Sequence, residues 1–328
     1  MTDARESVSL VICTCSFERW HDLTETIQSV RALSPAPDEI IVVVDHNPDL
    51  KDCAAAEFPD VIVTENREAR GLSGARNTGI ATASGTLVVF LDDDAIIERD
   101  WLSHIAPLCR EPNVLGAMGR IEPIWLGTRP RWFPDEFLWV VGCTYRGFPD
   151  TAAPVRNLLG CSMALRRDVL DKSGGFNARL GRTNTKLAWS CEETELCQRA
   201  RSLHDGGDFV FDPAAAVRHK VPAKRLTPRY FLMRCYAEGR SKWHVSELAT
   251  SKNALSTEWT YVLQTLPRGV ARGLADALLR FDIGGPGRAL AITAGFACTL
   301  AGFALGKFGS MMERAPRAAP SSRQARSG

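Results

Sequence analysis

Leu87-Val88-Val89-Phe90-Leu91-Asp92-Asp93-Asp94 decides the fold of this chain: five apolar residues run without a break into three carboxylates. An apolar run of this kind reads as a strand buried on both faces of a parallel sheet. Its acids then fall at the strand's C-terminal end, where open α/β sheets place their ligands. Adjacent acids repel one another, and a fold that gathers them at a strand end calls for a cation. Carboxylate oxygens suit Mg2+ or Mn2+, ions that bridge to substrate phosphates. Taken alone the cluster is equally a solvated acidic turn, so its surroundings decide.

Upstream, residues 8–13 are apolar and predict the first strand, followed by the small polar turn Thr14-Cys15-Ser16. Leu23, Ile27, Val30 and Leu33 recur at helical spacing and predict a helix over 22–33, ended by Ser34-Pro35-Ala36-Pro37. Residues 39–45 predict a second strand that also closes on an acid, Asp45, and residues 61–64 a short third strand. The stretch Arg70-Gly71-Leu72-Ser73-Gly74-Ala75-Arg76-Asn77-Thr78-Gly79 follows, with Ser73 as the expected N-cap of a helix stopped by Gly85. Strand–helix alternation of this kind builds a parallel, nucleotide-binding type of sheet. Asp45 and Asp92 to Asp94 then share one rim, where a carboxylate can accept from a base N–H or a ribose hydroxyl. The glycine stretch is neither GxGxxG nor GxxxxGK[ST], which argues against a nicotinamide dehydrogenase and against a P-loop. Arg70 and Arg76 are candidate partners for phosphate.

Downstream, 101–109 predicts a helix and 114–121 a strand. Residues 122–154 are irregular, broken by Pro123, Pro130, Pro134 and Pro149 and rich in Trp, Phe and Tyr, the composition of either a core patch or a sugar-binding lobe. A short helix over 166–170 and the turn Gly174-Gly175-Phe176 follow. Trp189-Ser190-Cys191 then introduces a helix whose first turn carries Glu192, Glu193 and Glu195. The helix dipole favours acids there, but three of them behind a tryptophan exceed that need. Phe209-Val210-Phe211 is a further strand, and His219 lies in the stretch that closes this lobe.

The chain of 328 residues, 45% hydrophobic and 24% charged, has the composition of an ordinary globular protein with room for a large α/β domain and an appendage. A net charge of +2 gives no sign of a nucleic-acid partner. The ten cysteines are irregularly spaced, without zinc-finger patterns, as expected for reduced thiols in a cytoplasmic protein. The first residues carry no apolar segment of a secretory signal.

Beyond Pro228 the character changes. Trp259, Val262, Leu266, Val270, Leu274 and Leu278 recur at helical spacing with Arg268, Arg272 and Arg280 between them, a basic amphipathic helix suited to a membrane surface. Gly284-Gly285-Pro286-Gly287 is expected to break it. Residues 289–306 then carry no charge and would span about 27 Å as a helix, just short of a bilayer core of about 30 Å. Interfacial or re-entrant insertion, a single crossing and a helix packed on the enzyme are all open.

In this order the parts resemble the family 2 inverting nucleotide-sugar glycosyltransferases, over roughly residues 8–222. The marks are Val11-Ile12-Cys13-Thr14, Val42-Val43-Val44-Asp45, the Arg70 to Gly79 stretch, Phe90-Leu91-Asp92-Asp93-Asp94, Gly174-Gly175-Phe176, Glu192-Glu193-Thr194-Glu195-Leu196 and His219. The resemblance implies an α/β GT-A fold, a Rossmann-like mixed sheet, over 1–227. A helical membrane-associating appendage is expected over 228–312 and a disordered basic tail over 313–328. By the same resemblance Asp92 and Asp94 hold Mg2+ or Mn2+ on the donor diphosphate, with Asp92 near the ribose and His219 completing the metal site. Thr14 lies in the first nucleotide loop, Asp45 contacts the base, and Arg76 is near the nucleotide. The family's Glu-Asp pair falls on Glu192-Glu193, whose second carboxylate is the catalytic base. Cys15-Ser16 replaces a common Tyr-Asn, His46-Asn47-Pro48 replaces Asp-Gly-Ser, and a Glu in place of the Asp leaves Glu192 open beside Glu193 as base.

The function so implied is metal-dependent, inverting transfer from a UDP- or GDP-sugar to a lipid-linked or cell-envelope glycan acceptor, such as a polyprenyl-phosphate sugar, at the cytoplasmic face of the membrane. Residues 130–143 resemble members acting on prenyl-phosphate-linked sugars, with a glucuronosyl donor as a further expectation. The alternative is a non-catalytic sugar-nucleotide-binding membrane protein, which would be expected to lack a metal acid or the base.

Overall fold

The run at 87–91 lies in the middle of one mixed sheet, with no side chain in it more than 3% exposed. The computed structural model describes residues 7–178, 180, 191–248 and 259–314; Trp189 and Ser190, and the tail beyond 314, lie outside them. Its N-terminal half alternates β1 (Val8–Thr14), α1 (Trp20–Arg31), β2 (Glu39–Val44), α2 (Pro48–Glu57), β3 (Ile62–Glu65), α3 (Leu72–Thr82) and β4 (Leu87–Asp92). Then come β5 (Ala95–Ile97), α4 (Trp101–Cys109), β6 (Val114–Trp125), β7 (Ala153–Val155), β8 (Ser162–Arg166), α5 (Arg167–Ser173), α6 (Glu192–Leu203) and β9 (Asp208–Val221). The strands are ordered β3-β2-β1-β4-β8-β6-β9-β5, with β7 on β9. The first four run parallel, while β8 is antiparallel to both β4 and β6.

Three registers position the site. Cys13 pairs with Asp92 across β1 and β4, so Thr14 ends level with the acids. Leu91 pairs with Ser162, which brings Gly160 and Cys161 up to Asp92. Ala95 pairs with His219, and Lys220 N–H donates to the Asp94 carbonyl at 2.9 Å, which sets His219 beside Asp94.

Several local expectations change. α2 has only Leu50 and Ala54 buried, too few for a periodic signal, and starts on Asn47, whose side chain accepts from Leu50 N–H at 3.2 Å. Ser73 is not an N-cap: α3 begins at Leu72 behind Gly71, and the buried Ser73 hydroxyl donates to the Leu180 carbonyl at 2.7 Å. β6 and β9 extend to 12 and 14 residues because they pair with each other along most of their length.

The C-terminal part is α7 (Pro228–Leu248), α8 (Leu266–Arg280) and α9 (Gly284–Arg314). The chain breaks at Phe281, which takes a left-handed conformation with φ 53°. Gly284 to Gly287 instead form the first turn of α9, where a proline costs little. A Cβ on Gly285 would stand 2.3 Å from the Gly273 carbonyl, so glycine permits the contact of α8 with α9. α9 lays Gly295 on Phe137 and Phe231, Gly302 on the Tyr236 backbone and Gly306 on Trp243, so it runs parallel to α7. The aromatics at 133–137 serve as core: the Phe133 and Phe137 rings lie 5.5 and 5.3 Å from that of Phe231, and Tyr261 donates to the Glu136 carbonyl at 2.6 Å.

Candidate functional site

Asp92, Asp93 and Asp94 follow one strand but face different surroundings. The Asp92 side chain is 28% exposed, while Asp93 and Asp94 are buried. Arg19, in the turn before α1, reaches Asp93 at 2.9 Å and Asp94 at 2.5 Å. His219 Nε2 stands 3.2 Å from the other Asp94 oxygen. Burial pushes the Asp93 carboxyl up to about 7, against the pull of Arg19. Burial would raise Asp94 too, but His219 and then Arg19 hold it well below the usual carboxylate range.

Ligand atoms of Asp92, Cys161 and His219 all lie within 4.8 Å of one another. Burial drives the Cys161 thiol well above its ordinary value, with Asp92 and Asp94 adding to the rise. A protonated thiol is a poor ligand for a hard ion. The donors left in this group, the Asp92 carboxylate and the His219 imidazole, with Asp94 3.2 Å from that ring, fit Mn2+ or Mg2+. Cys161 escapes a search of the sequence because nothing in its apolar run marks it; the β4–β8 register alone brings it to Asp92.

Arg76, on α3 and 2% exposed, joins the acids to the glutamates. Its guanidinium is 3.0 Å from Glu193, 3.4 Å from Glu192 and 3.6 Å from Asp92, and it stacks 5.2 Å from the Phe176 ring centroid. Burial opposes its charge, but Glu193, Glu192 and Asp92 outweigh that and keep it protonated. Glu192 and Glu193 open α6, where the helix dipole, like Arg76, complements negative charge. Glu192 is buried, whereas the Glu193 side chain keeps 18% exposure. Glu195 serves elsewhere, as a two-pronged partner of Arg199 at 2.8 Å on both oxygens.

Asp45 stands at the rim as a brace. It accepts from Asn66 at 2.6 Å, from Gly71 N–H at 3.0 Å and is 2.9 Å from His46 Nδ1. A carboxylate has about four lone-pair positions, so one remains for a ligand N–H. Arg70 is turned to the His46 carbonyl at 3.1 Å.

Gly160 packs against the Arg76–Glu193 pair. A Cβ there would stand 2.1 Å from Glu193 Oε1 and 2.3 Å from Arg76 Nη2. Both atoms are chain ends, yet Arg76 is held by three acids and cannot swing aside. Gly160→Ala is therefore expected to part the pair, lowering turnover strongly for an overpacking cost of about 1–3 kcal/mol. Turnover measured beside thermal unfolding checks this; unchanged turnover would show that the contact is passive.

The glycosyl transferase family 2 model matches residues 10–174. The glucosyl-dolichyl phosphate glucuronosyltransferase of Haloferax volcanii is 34% identical over 72% of this chain and 76% of its own length. The succinoglycan biosynthesis protein ExoM of Rhizobium meliloti is 26% identical over 79% of this chain and 81% of its own. Among solved structures, the mannosyltransferase PcManGT from Pyrobaculum calidifontis, in complex with GDP-Man and Mn2+, superposes with a TM-score of 0.58 at 18% identity, over 91% of this chain and 88% of that one.

Proposed function

The chain belongs to glycosyl transferase family 2, and from that premise we propose that it is a metal-dependent, inverting transferase passing a sugar from a nucleoside diphosphate to a lipid-linked acceptor at a membrane surface. The observation that carries this reading is Arg76, one buried cation in contact with Asp92 on one side and Glu192 and Glu193 on the other. It ties a donor-phosphate end and a proton-accepting end into one cleft.

Asp92, Asp94 and His219 would hold Mg2+ or Mn2+, which when bound supplies Lewis-acid stabilisation of the leaving diphosphate. Asp45 would offer its remaining lone pair to the base, with Thr14, whose carbonyl accepts from Asp45 N–H at 2.8 Å, beside it in the first nucleotide loop. Arg76 supplies a second positive charge next to Asp92 for the departing phosphate. Glu193, the more open glutamate, takes the proton of the acceptor hydroxyl as its oxygen bonds to the anomeric carbon. The bond from that carbon to the phosphate oxygen breaks on the opposite face, which inverts the centre.

A lipid-linked acceptor is supported by the name of the Haloferax relative and by the surface of the C-terminal helices. Residues 284–308 are long and apolar enough to cross a membrane, with 22% of the window buried. Leu278, Phe281, Ile283 and Leu290 are 70–86% exposed around the α8–α9 turn. A full crossing by α9 would draw in α7, which runs along it with Arg234, Glu238, Arg240 and Lys242. Each such charge costs about 2.5–3.5 kcal/mol at a bilayer centre. That cost favours helices lying in the interface with their apolar side in lipid, on the cytoplasmic face.

The test is a panel of UDP- and GDP-sugars offered to the purified full chain with Mn2+, with polyprenyl-phosphate sugars as acceptors in phospholipid vesicles. One donor should turn over, turnover should vanish with EDTA, and an alkaline wash should strip the protein from the vesicles. Donor binding without turnover of any pair would assign the non-catalytic alternative, and metal-independent turnover would sink the role of Asp92 and Asp94.

A further inference from the structure

A cavity of about 430 Å³ opens between the irregular stretch at 129–146 and helices α8 and α9. Among the described residues, Arg129, Arg131, Arg146, Arg272, Arg280 and Arg288 line it, against Asp135, Glu136 and Asp276. Asp135 bonds Arg129 and Arg146, Glu136 holds Arg272 at 2.8 Å, Asp276 pairs with Arg280 at 3.4 Å and Arg288 at 2.9 Å, and Asp282, outside the lining, also holds Arg288 at 2.8 Å. Glu136, 4% exposed, anchors this network, and Gly269 lets α8 reach it: a Cβ there would stand 2.8 Å from the Glu136 carboxyl carbon. An excess of arginine over carboxylate around an open cavity leaves positive charge for an anion, and guanidinium forks match phosphate oxygens.

Two placements say which anion. α8 lends the cavity Gly269, Arg272, Gly273, Asp276 and Arg280, one stripe at helical spacing. Its other stripe carries Leu274 and Leu278, 49% and 76% exposed, and leads into Phe281 and Ile283 at the turn. A helix with one side in lipid holds its basic stripe at headgroup depth. The 3-10 helix Asp135–Val141 then links the cavity to the site, since Glu136 lines the cavity and a Cβ on Gly142 would stand 3.3 Å from the His219 ring. Six residues, kinked at Phe137, separate the two ends. None of Asp92, Asp94, Glu193 and His219 lines the cavity, which sets it apart from the donor diphosphate and suits a phosphate separated from the reacting hydroxyl by a sugar ring or two.

We propose that this cavity binds the phosphate of the lipid-linked acceptor, which rests on the transferase reading above and gives that acceptor its charged handle. The full chain in detergent is titrated with farnesyl phosphate, and in separate arms with farnesol and inorganic phosphate. Arg131→Gln combined with Arg280→Gln removes two exposed cavity arginines that are not in the donor site. The pair should weaken farnesyl phosphate binding about tenfold or more, as expected for loss of charged hydrogen bonds. Nucleotide-sugar binding with Mn2+ should be unchanged, and the Arg→Lys pair should recover part of the loss. Asp135→Asn, which releases Arg129 and Arg146, should tighten binding. Equal affinity in the double variant, or farnesol binding as well as its phosphate, would overturn the proposal. Inorganic phosphate binding as tightly as farnesyl phosphate would make this an anion site without a lipid. If no nucleotide sugar is bound or turned over while farnesyl phosphate still binds through these arginines, the transferase reading fails and the cavity stands. Turnover on a lipid-linked acceptor with no effect of the arginines fails the cavity alone.

Discussion

Glu193→Gln is expected to bind nucleotide sugar as the parent does and to transfer it about 10²–10⁴-fold more slowly, the usual contribution of a positioned general base. The amide keeps the shape and can still accept from Arg76, 3.0 Å away, so the cleft should hold its form. What it cannot do is take a proton. The loss should therefore appear in kcat, with donor affinity and thermal stability little changed. Glu192→Gln separates the neighbours. Glu192 is 3% exposed, against 18% for the Glu193 side chain, so its replacement should act through stability and the placing of Arg76, with a smaller fall in kcat. Near-normal transfer by Glu193→Gln would remove the assignment, and a collapse confined to Glu192→Gln would move the base by one residue.

How much of this could be read beforehand depends on sequence separation. The acid-tipped strand at 87–92 announces itself because burial on both faces demands an unbroken apolar run, and a parallel, nucleotide-binding type of sheet follows from the alternation around it, whereas its mixed GT-A form is implied by the family resemblance. The glutamates at 192 and 193 stand out because a helix start rarely needs so many acids. Arg19 gives no such signal. It meets Asp93 across 74 positions, and a lone arginine in a turn resembles any surface charge. Gly160 and Cys161 owe their place to the β4–β8 register, and His219 to the three-residue strand β5. A strand that short has no periodicity to detect. α7 was hidden because its charged residues interrupt any apolar stripe, and its partner face depends on glycines of α9. The arginine cavity is assembled from three separate stretches, each of which alone reads as an ordinary basic segment.

Arg76 supplies the most severe prediction. Its guanidinium is 2% exposed and lies near three carboxylates. Arg76→Met fills the space but leaves those charges buried without their cation, and breaking a buried ionic cluster from one side costs about 3–5 kcal/mol. Such a loss takes a large part of the stability of most domains, so the variant should unfold at markedly lower temperature and show no transfer. That outcome alone would not distinguish a structural cation from a functional one, and Arg76→Lys does. Lysine keeps the charge and much of the stability, but one ammonium on a flexible stem cannot reach Asp92 and both glutamates, nor stack on Phe176 as the planar fork does at 5.2 Å. Transfer by the folded lysine variant should fall roughly 10²–10³-fold, the range for losing one preorganised donor to developing charge. A lysine variant that folds and transfers normally would reduce Arg76 to a counter-charge. A folded variant that binds donor yet transfers slowly would place the guanidinium in the reaction, between the departing diphosphate and the base that receives the acceptor's proton.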